Sequence, residues 1–186
     1  MKRQGVVLCL LALALLAGVG RKAWAANTPA EATVTVTPIP NVSLTIDPTT
    51  YAFGTIDTSS HAVAVSSLTL VNTGEVDLAS ITKEISAQSA PPGWTAGDAA
   101  GPNAYVLYVA SAAAMPVEAN FTATHRFGAQ GVQTDLTGLS DATTALPMTA
   151  GSNYADLWFR LDVPTSVANT LAREITVLFT GVAAIN

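Results

Sequence analysis

The sequence predicts an all-β fold, a sandwich of about seven to nine antiparallel strands. Three observations carry that prediction. Short segments alternate apolar with hydroxyl-bearing or charged residues at a period of two, and clusters of Gly, Pro, Asn and Asp separate them. Almost nothing repeats at the helical period, so alternating β and α units are not indicated.

The chain opens with a different kind of segment. Lys2 and Arg3 precede the apolar run Gly5 to Gly20, and Ala23-Trp24-Ala25 follows as a small-x-small cleavage site. This is the layout of a secretory signal peptide over residues 1–25, with a mature chain from Ala26. The run is shorter than the roughly 20 apolar residues that span a bilayer, so no transmembrane segment is expected in the mature chain. Arg21 and Lys22, between the run and the cleavage site, are unusual for such a leader.

Cys9 is the only cysteine and lies inside the leader, so the mature chain has neither disulfide nor thiolate metal site. Four of the eight basic residues also fall in the leader, leaving four against thirteen acids, a net charge of −9. That balance repels phosphate backbones and excludes nucleic acid as a partner. Residues 26–186 suit one domain, long enough to bury a core without staples. Ser, Thr and Ala stand where Lys and Glu are usual, which suits an exposed pleated surface.

The elements follow in order. Ala32 to Thr37 alternates Val34 and Val36 with threonine; Pro38 and Pro40 end it or confine it to an edge. Val42 to Asp47 resumes with Val42, Leu44 and Ile46 on one face. Tyr51 to Ile56 reads as a short aromatic strand broken by Gly54. In Ala62 to Asn72 the residues Val63, Val65, Leu68 and Leu70 carry the apolar signal, which slips by one at Ser66-Ser67 and predicts a bulge. Asn72-Thr73-Gly74 supplies residues that tolerate left-handed angles, and another strand starts at Leu78.

Further on, Tyr105 to Ala110 and Glu118 to Phe127 read as strands, with Gly128 to Ser152 largely loop. Two clear strands close the chain. In Asp156 to Val163, Leu157, Phe159, Leu161 and Val163 face one way and Asp156, Trp158, Arg160 and Asp162 the other. In Glu174 to Val182, Ile175, Val177 and Phe179 alternate with Thr176, Leu178 and Thr180.

No catalytic set assembles from these residues, and no cofactor is expected. His61 and His125 sit in no zinc-binding spacing, so a secreted hydrolase would need a non-standard site that joins one of them to nearby carboxylates. Gly138-Leu139-Ser140 begins a nucleophile elbow, but Ala142 replaces its second glycine and no histidine follows. Asp135 and Asp141 flank that loop as carboxylates, at a spacing that matches no established calcium loop. Asn41-Val42-Ser43 and Asn120-Phe121-Thr122 fit the glycosylation pattern, a frequent chance match in so Ser- and Thr-rich a chain.

Two features point to interaction instead. Asp156, Trp158, Arg160 and Asp162 stand side by side on one strand face, where Arg160 can stack on Trp158 and pair with an aspartate to anchor a protein or cell-surface partner. The alternative is that Trp158 packs under a neighbouring loop. Residues 26–40, through Val34 and Val36, form an exchangeable N-terminal strand for self-association, unless Ala32 to Thr37 is the first strand of its own sandwich.

Phe53-Gly54-Thr55-Ile56 followed by Leu68 to Leu78, LTLVNTGEVDL, resembles the Phe-Gly-x-Val … Leu-x-Leu-x-Asn-x-Gly-x-x-x-Leu pattern of bacterial Ig-like domains of the ASPM/SPD-2/Hydin (choice-of-anchor) type. The resemblance covers Tyr51 to Leu78 and implies an Ig-like β-sandwich that serves as a non-catalytic structural or adhesion module, secreted, at the cell surface or in the periplasm. The layout of the chain is also similar to that of TasA-like fibre subunits, which implies a fibre or pilus-like subunit assembling by N-terminal strand exchange.

Overall fold

The computed structural model describes residues 41–88, 93–139, 146, 148–151 and 153–184. Within them the chain is all-β, in two sheets. The strands are β1 Leu44–Asp47, β2 His61–Val63, β3 Leu68–Asn72, β4 Leu78–Gln88, β5 Thr95–Ala96, β6 Ala104–Ser111, β7 Thr134–Asp135, β8 Asn153–Asp162 and β9 Ile175–Ala183. No described helix is long and apolar enough to cross a membrane.

The larger sheet runs β1-β3-β8-β6-β5, with β2 also on β8; the smaller runs β7-β4-β9. Pairing is antiparallel except between β5 and β6. The alternation read from the sequence sets which face is buried: Leu157, Phe159 and Leu161 of β8 and Leu68 and Leu70 of β3 point inward. Ile81 and Ile85 of β4 and Val177 and Phe179 of β9 pack against them from the other sheet. Period-two alternation on both sheets is what lets two half-apolar faces close on each other.

Four local readings need correction. β2 and β3 lie end to end on β8, with Val63 opposite Arg160 and Leu68 opposite Leu157. Five steps on one strand face three on the other, so an irregularity with two extra residues lies at the expected place. The buried face does not reverse, however. Ala62, opposite the buried Leu161, and Ala64 point inward, while Val65 is 80 % exposed. Ala64 continues the ladder on β8, its N–H donating to the Phe159 carbonyl at 2.7 Å, and the valines only mimicked a core row.

Gly74 has no left-handed angle, and neither has Asn72. Asn72 is fully buried and donates from its amide to the carbonyls of Val76 (3.1 Å) and Thr149 (2.9 Å) while accepting from the Gly74 N–H (3.0 Å). The glycine is needed for close approach, since a Cβ there would stand 2.5 Å from the Asn41 carbonyl oxygen.

Glu118 to Phe127 is not a strand but two 3-10 turns, Glu118–Asn120 and Ala123–His125. Thr122 and His125 cap the second turn reciprocally, and such local side-chain bonds compete with ladder formation. Tyr51 to Ile56 forms no strand either. Gly54 takes φ +74°, and Tyr51 and Phe53 stack edge to face at 4.9 Å on the rim of the core.

Candidate functional site

The outer face of β8 carries an ordered polar cluster. Arg160 donates from Nε (2.7 Å) and Nη2 (3.0 Å) to the two carboxylate oxygens of Asp162. Its Nη2 also meets Glu118 Oε1 at 3.1 Å, Nη1 donates to the Glu118 carbonyl at 3.1 Å, and the guanidinium lies 5.1 Å from the Tyr108 ring centre. Across the sheet His61 Nε2 contacts the other Glu118 oxygen at 2.8 Å. One arginine thereby ties β8, β6 and the first 3-10 turn together.

The face expected from the sequence is thus assembled differently. Arg160 stacks on Tyr108 of the adjacent strand β6, not on Trp158. The Trp158 indole donates to the Ala112 carbonyl at 3.0 Å, under the connection that leaves β6, and Asp156 accepts from the Thr69 hydroxyl at 3.0 Å. Burial, followed by the Asp162 charge, pushes the Tyr108 phenol up. Since the bidentate fork of Arg160 sets this geometry, Arg160→Lys keeps the charge and loses the fork. It is expected to cost about 1 kcal/mol, read as a lower urea midpoint at unchanged slope.

Beside this cluster lies a cavity of about 190 Å³ lined by Ser59, Ser60, His61, Ala100, Arg160, Asp162, Val163 and Thr165. The hydrolase alternative joins a histidine to a carboxylate, and here His61 stands against Glu118. Ser59 donates from Oγ to the Thr165 carbonyl at 3.2 Å, and Arg160 engages both Glu118 and Asp162.

His125 is buried elsewhere. The Thr122 N–H donates to its Nδ1 at 3.0 Å, and burial, then the Lys83 charge, holds its pKa below the usual imidazole value. Both effects keep the ring neutral.

The neighbouring Lys83 is a residue that strand alternation alone did not single out. It is 0 % exposed, in line with Ile81 and Ile85 on the inner face of β4. Its ammonium donates to the carbonyls of Thr124 (3.3 Å) and Asp135, and burial lowers its pKa to about 8 against the smaller opposing pull of the Asp135 charge. The Ile-x-Lys-x-Ile spacing was the available signal. Among the described residues no group of three or more His, Cys, Asp or Glu is placed to hold a metal ion. Ser140, Asp141, Val34 and Val36 lie outside the described residues.

No protein-family model, curated protein or solved structure matches the chain.

The other candidate surface is an edge. Among the described residues β9 pairs only with β4, and β1 only with β3, leaving one side of each strand open. Between them lies a mostly apolar groove of about 210 Å³ lined by Leu44, Thr45, Ile46, Thr49, Leu68, Leu70, Val177, Leu178 and Phe179. β9 runs nine residues without a charge or a proline, and Leu178 and Val182 are about half exposed on its outer side. Sheet edges are ordinarily blunted by charge, proline or brevity; this one has none of the three.

Proposed function

We propose that the chain is an exported, non-catalytic structural or interaction module of the cell surface, built on an Ig-like sandwich and engaging protein partners along its sheet edge. The observation that carries this reading is the uncharged, nine-residue edge of β9 beside an apolar groove. Main-chain groups on such an edge supply affinity, and the groove supplies selectivity through alternate side chains. The signal-peptide pattern of residues 1–25 supports export, and the resemblance of Tyr51 to Leu78 to Ig-like surface domains supports the module class.

The reading is tested by expressing the tagged chain in a bacterial host and fractionating the cells. The expected result is a processed form beginning at Ala26 outside the cytoplasm, which mass spectrometry of the intact protein detects. An unprocessed chain retained in the cytoplasm overturns export. Turnover of ester, peptide or glycoside substrates that His61→Ala abolishes overturns the non-catalytic part and favours the hydrolase alternative.

A further inference from the structure

We infer that the cavity at the end of β8 is a binding site for one uncharged, hydroxyl-rich unit, the end residue of a glycan chain; this goes beyond the edge-based reading and does not depend on it.

The walls of the cavity are held in place before any ligand arrives. The turn before β2, the entry to β6 and the exit of β8 meet here. The Ser59 N–H donates to the Pro164 carbonyl at 3.0 Å, its hydroxyl to the Thr165 carbonyl at 3.2 Å, and the Val163 N–H to the Ser60 carbonyl at 2.9 Å. On the other side the Thr165 N–H donates to the Gly101 carbonyl at 3.0 Å and the Asn103 N–H to the Ser166 carbonyl at 2.8 Å. The exit of β8 is thereby sewn to both neighbours, with Val163 and Pro164 buried beneath it. A preformed site spares a ligand the cost of ordering it.

The backbone carries an independent sign. Among the described residues the non-glycine positions with positive φ are Ser59 (59°) and Asn103 (54°), and both belong to these walls. Asparagine tolerates that angle, whereas serine pays for it. Glycine would relieve Ser59 but would lose the hydroxyl tether to Thr165, which fixes the turn that presents Ser60 and His61. Such angles persist where surrounding bonds over-determine them, and they gather at binding sites.

Charge selects the class of ligand. The side chains of Arg160 and Asp162 are only 13 % and 17 % exposed, and the guanidinium already faces the carboxylates of both Asp162 and Glu118. An anion entering the cavity meets two carboxylates and a cation meets the guanidinium, so either encounter is opposed by a like charge. What stays available is hydrogen bonding. Among the described residues the hydroxyls of Ser60 and Thr165 have no partner, Asp162 keeps lone pairs beyond the two that Arg160 uses, and His61, with Nε2 on Glu118, retains Nδ1. A ligand hydroxyl both donates and accepts, so a polyol answers hydroxyls and bare acceptors together.

Size narrows the class further. The cavity of about 190 Å³ holds the volume of about six waters and lies below the roughly 300 Å³ at which pockets for drug-sized ligands begin. That is room for one sugar ring, whose C–H face can rest on Ala100 and Val163. Ser59, Ser60, His61 and Thr165 are exposed at the rim, so the rest of a chain can leave toward solvent.

The test is a titration of isotope-labelled protein with the methyl glycosides of glucose, galactose and mannose, read by amide chemical shifts and paired with a screen on immobilised glycans. The expected result is a saturable shift at Ser60, His61 and Thr165 with at least one glycoside. Ser60→Ala with Thr165→Val removes the two unpartnered hydroxyls and leaves the carbonyl that Ser59 uses, while Ala100→Trp fills the cavity. Each change should weaken binding at least about tenfold, the double variant with an unchanged urea midpoint. Binding to immobilised chains but not to methyl glycosides, lost in the double variant, also supports the site and assigns its ligand to a chain end with a second residue on the rim. Binding that both variants retain lies elsewhere and overturns the inference. Saturation only by glucuronate, inorganic phosphate or spermidine overturns the uncharged class, and no saturable response to any glycoside or glycan overturns the site. None of these outcomes bears on export, on the lack of catalysis or on the β9 edge.

Discussion

Gly74→Ala is expected to lower stability by about 3 kcal/mol or more, against about 1 kcal/mol for Gly54→Ala. The two glycines separate two reasons for that residue type. Gly54 adopts φ +74° with no atom within 4 Å of an added Cβ, so alanine meets only the backbone cost of a left-handed angle. Gly74 has no such angle, yet its Cβ would stand 2.5 Å from the Asn41 oxygen and 2.8 Å from the Ser43 nitrogen. Both are main-chain atoms and cannot rotate away.

Relief requires β1 to move off β3 at its start, where the N–H groups of Thr73 and Gly74 both donate to the Ser43 carbonyl and that of Glu75 to the Asn41 carbonyl. Each such bond contributes about 1 kcal/mol, and the Asn72 amide network loses its Gly74 contact as well. Urea unfolding at equal slope gives the comparison; equal costs at the two glycines would refute the close-approach account. Because the displaced strand lines the groove with Leu44 and Ile46, Gly74→Ala should also weaken any association through that groove.

The motif illustrates what was legible in the chain. Asn-x-Gly announced a break between two strands, and β3 and β4 do end and begin around it, but the reason for the glycine is the close approach of Asn41 and Ser43, more than thirty residues away in sequence. The long strands β3, β4, β8 and β9 were readable because each has one face on the core, so burial writes a period of two into the chain.

Where neighbours decide, the pattern misleads. Ala62 and Ala64 occupy inward positions that Val63 and Val65 seemed to claim, and Thr122 with His125 folds a stretch of strand-like composition into a turn. The polar face of β8 was legible as Asp156, Trp158, Arg160 and Asp162. Tyr108 and Glu118 were not, since they reach Arg160 from β6 and from the turn that follows it. Lys83 stayed hidden because a lysine in a core row contradicts composition-based reading, although Ile81 and Ile85 flank it.

That lysine gives the last prediction. Stability should rise with pH from about 8 toward 10, by about 2 kcal/mol, and the rise should disappear in Lys83→Met. The sign follows from proton counts. Below about pH 8 the amine is protonated whether the chain is folded or not, and the folded state bears the whole cost of the buried ammonium. Between the lowered folded pKa, about 8, and the ordinary value of 10.5, the unfolded chain still holds the proton that the folded chain has released. The unfolded state then binds more protons, so raising the pH favours folding.

The trend reverses above pH 10, because burial raises the Tyr105 phenol to about 12 and raises that of Tyr108, so the unfolded chain is the first to ionise there. A maximum near pH 10 is therefore expected. Lys83→Ala separates packing from charge. At pH 7 it removes a fully buried stem and the donor to the Thr124 and Asp135 carbonyls, at a cost of about 3 kcal/mol. Lys83→Met keeps the volume and sheds the ammonium, and should fall within about 1 kcal/mol of the parent at that pH. Urea midpoints at pH 7, 8, 9 and 10 decide it, since a parent chain with a flat profile over that range would show that the ammonium bears no burial cost and that its two carbonyl partners fully replace water.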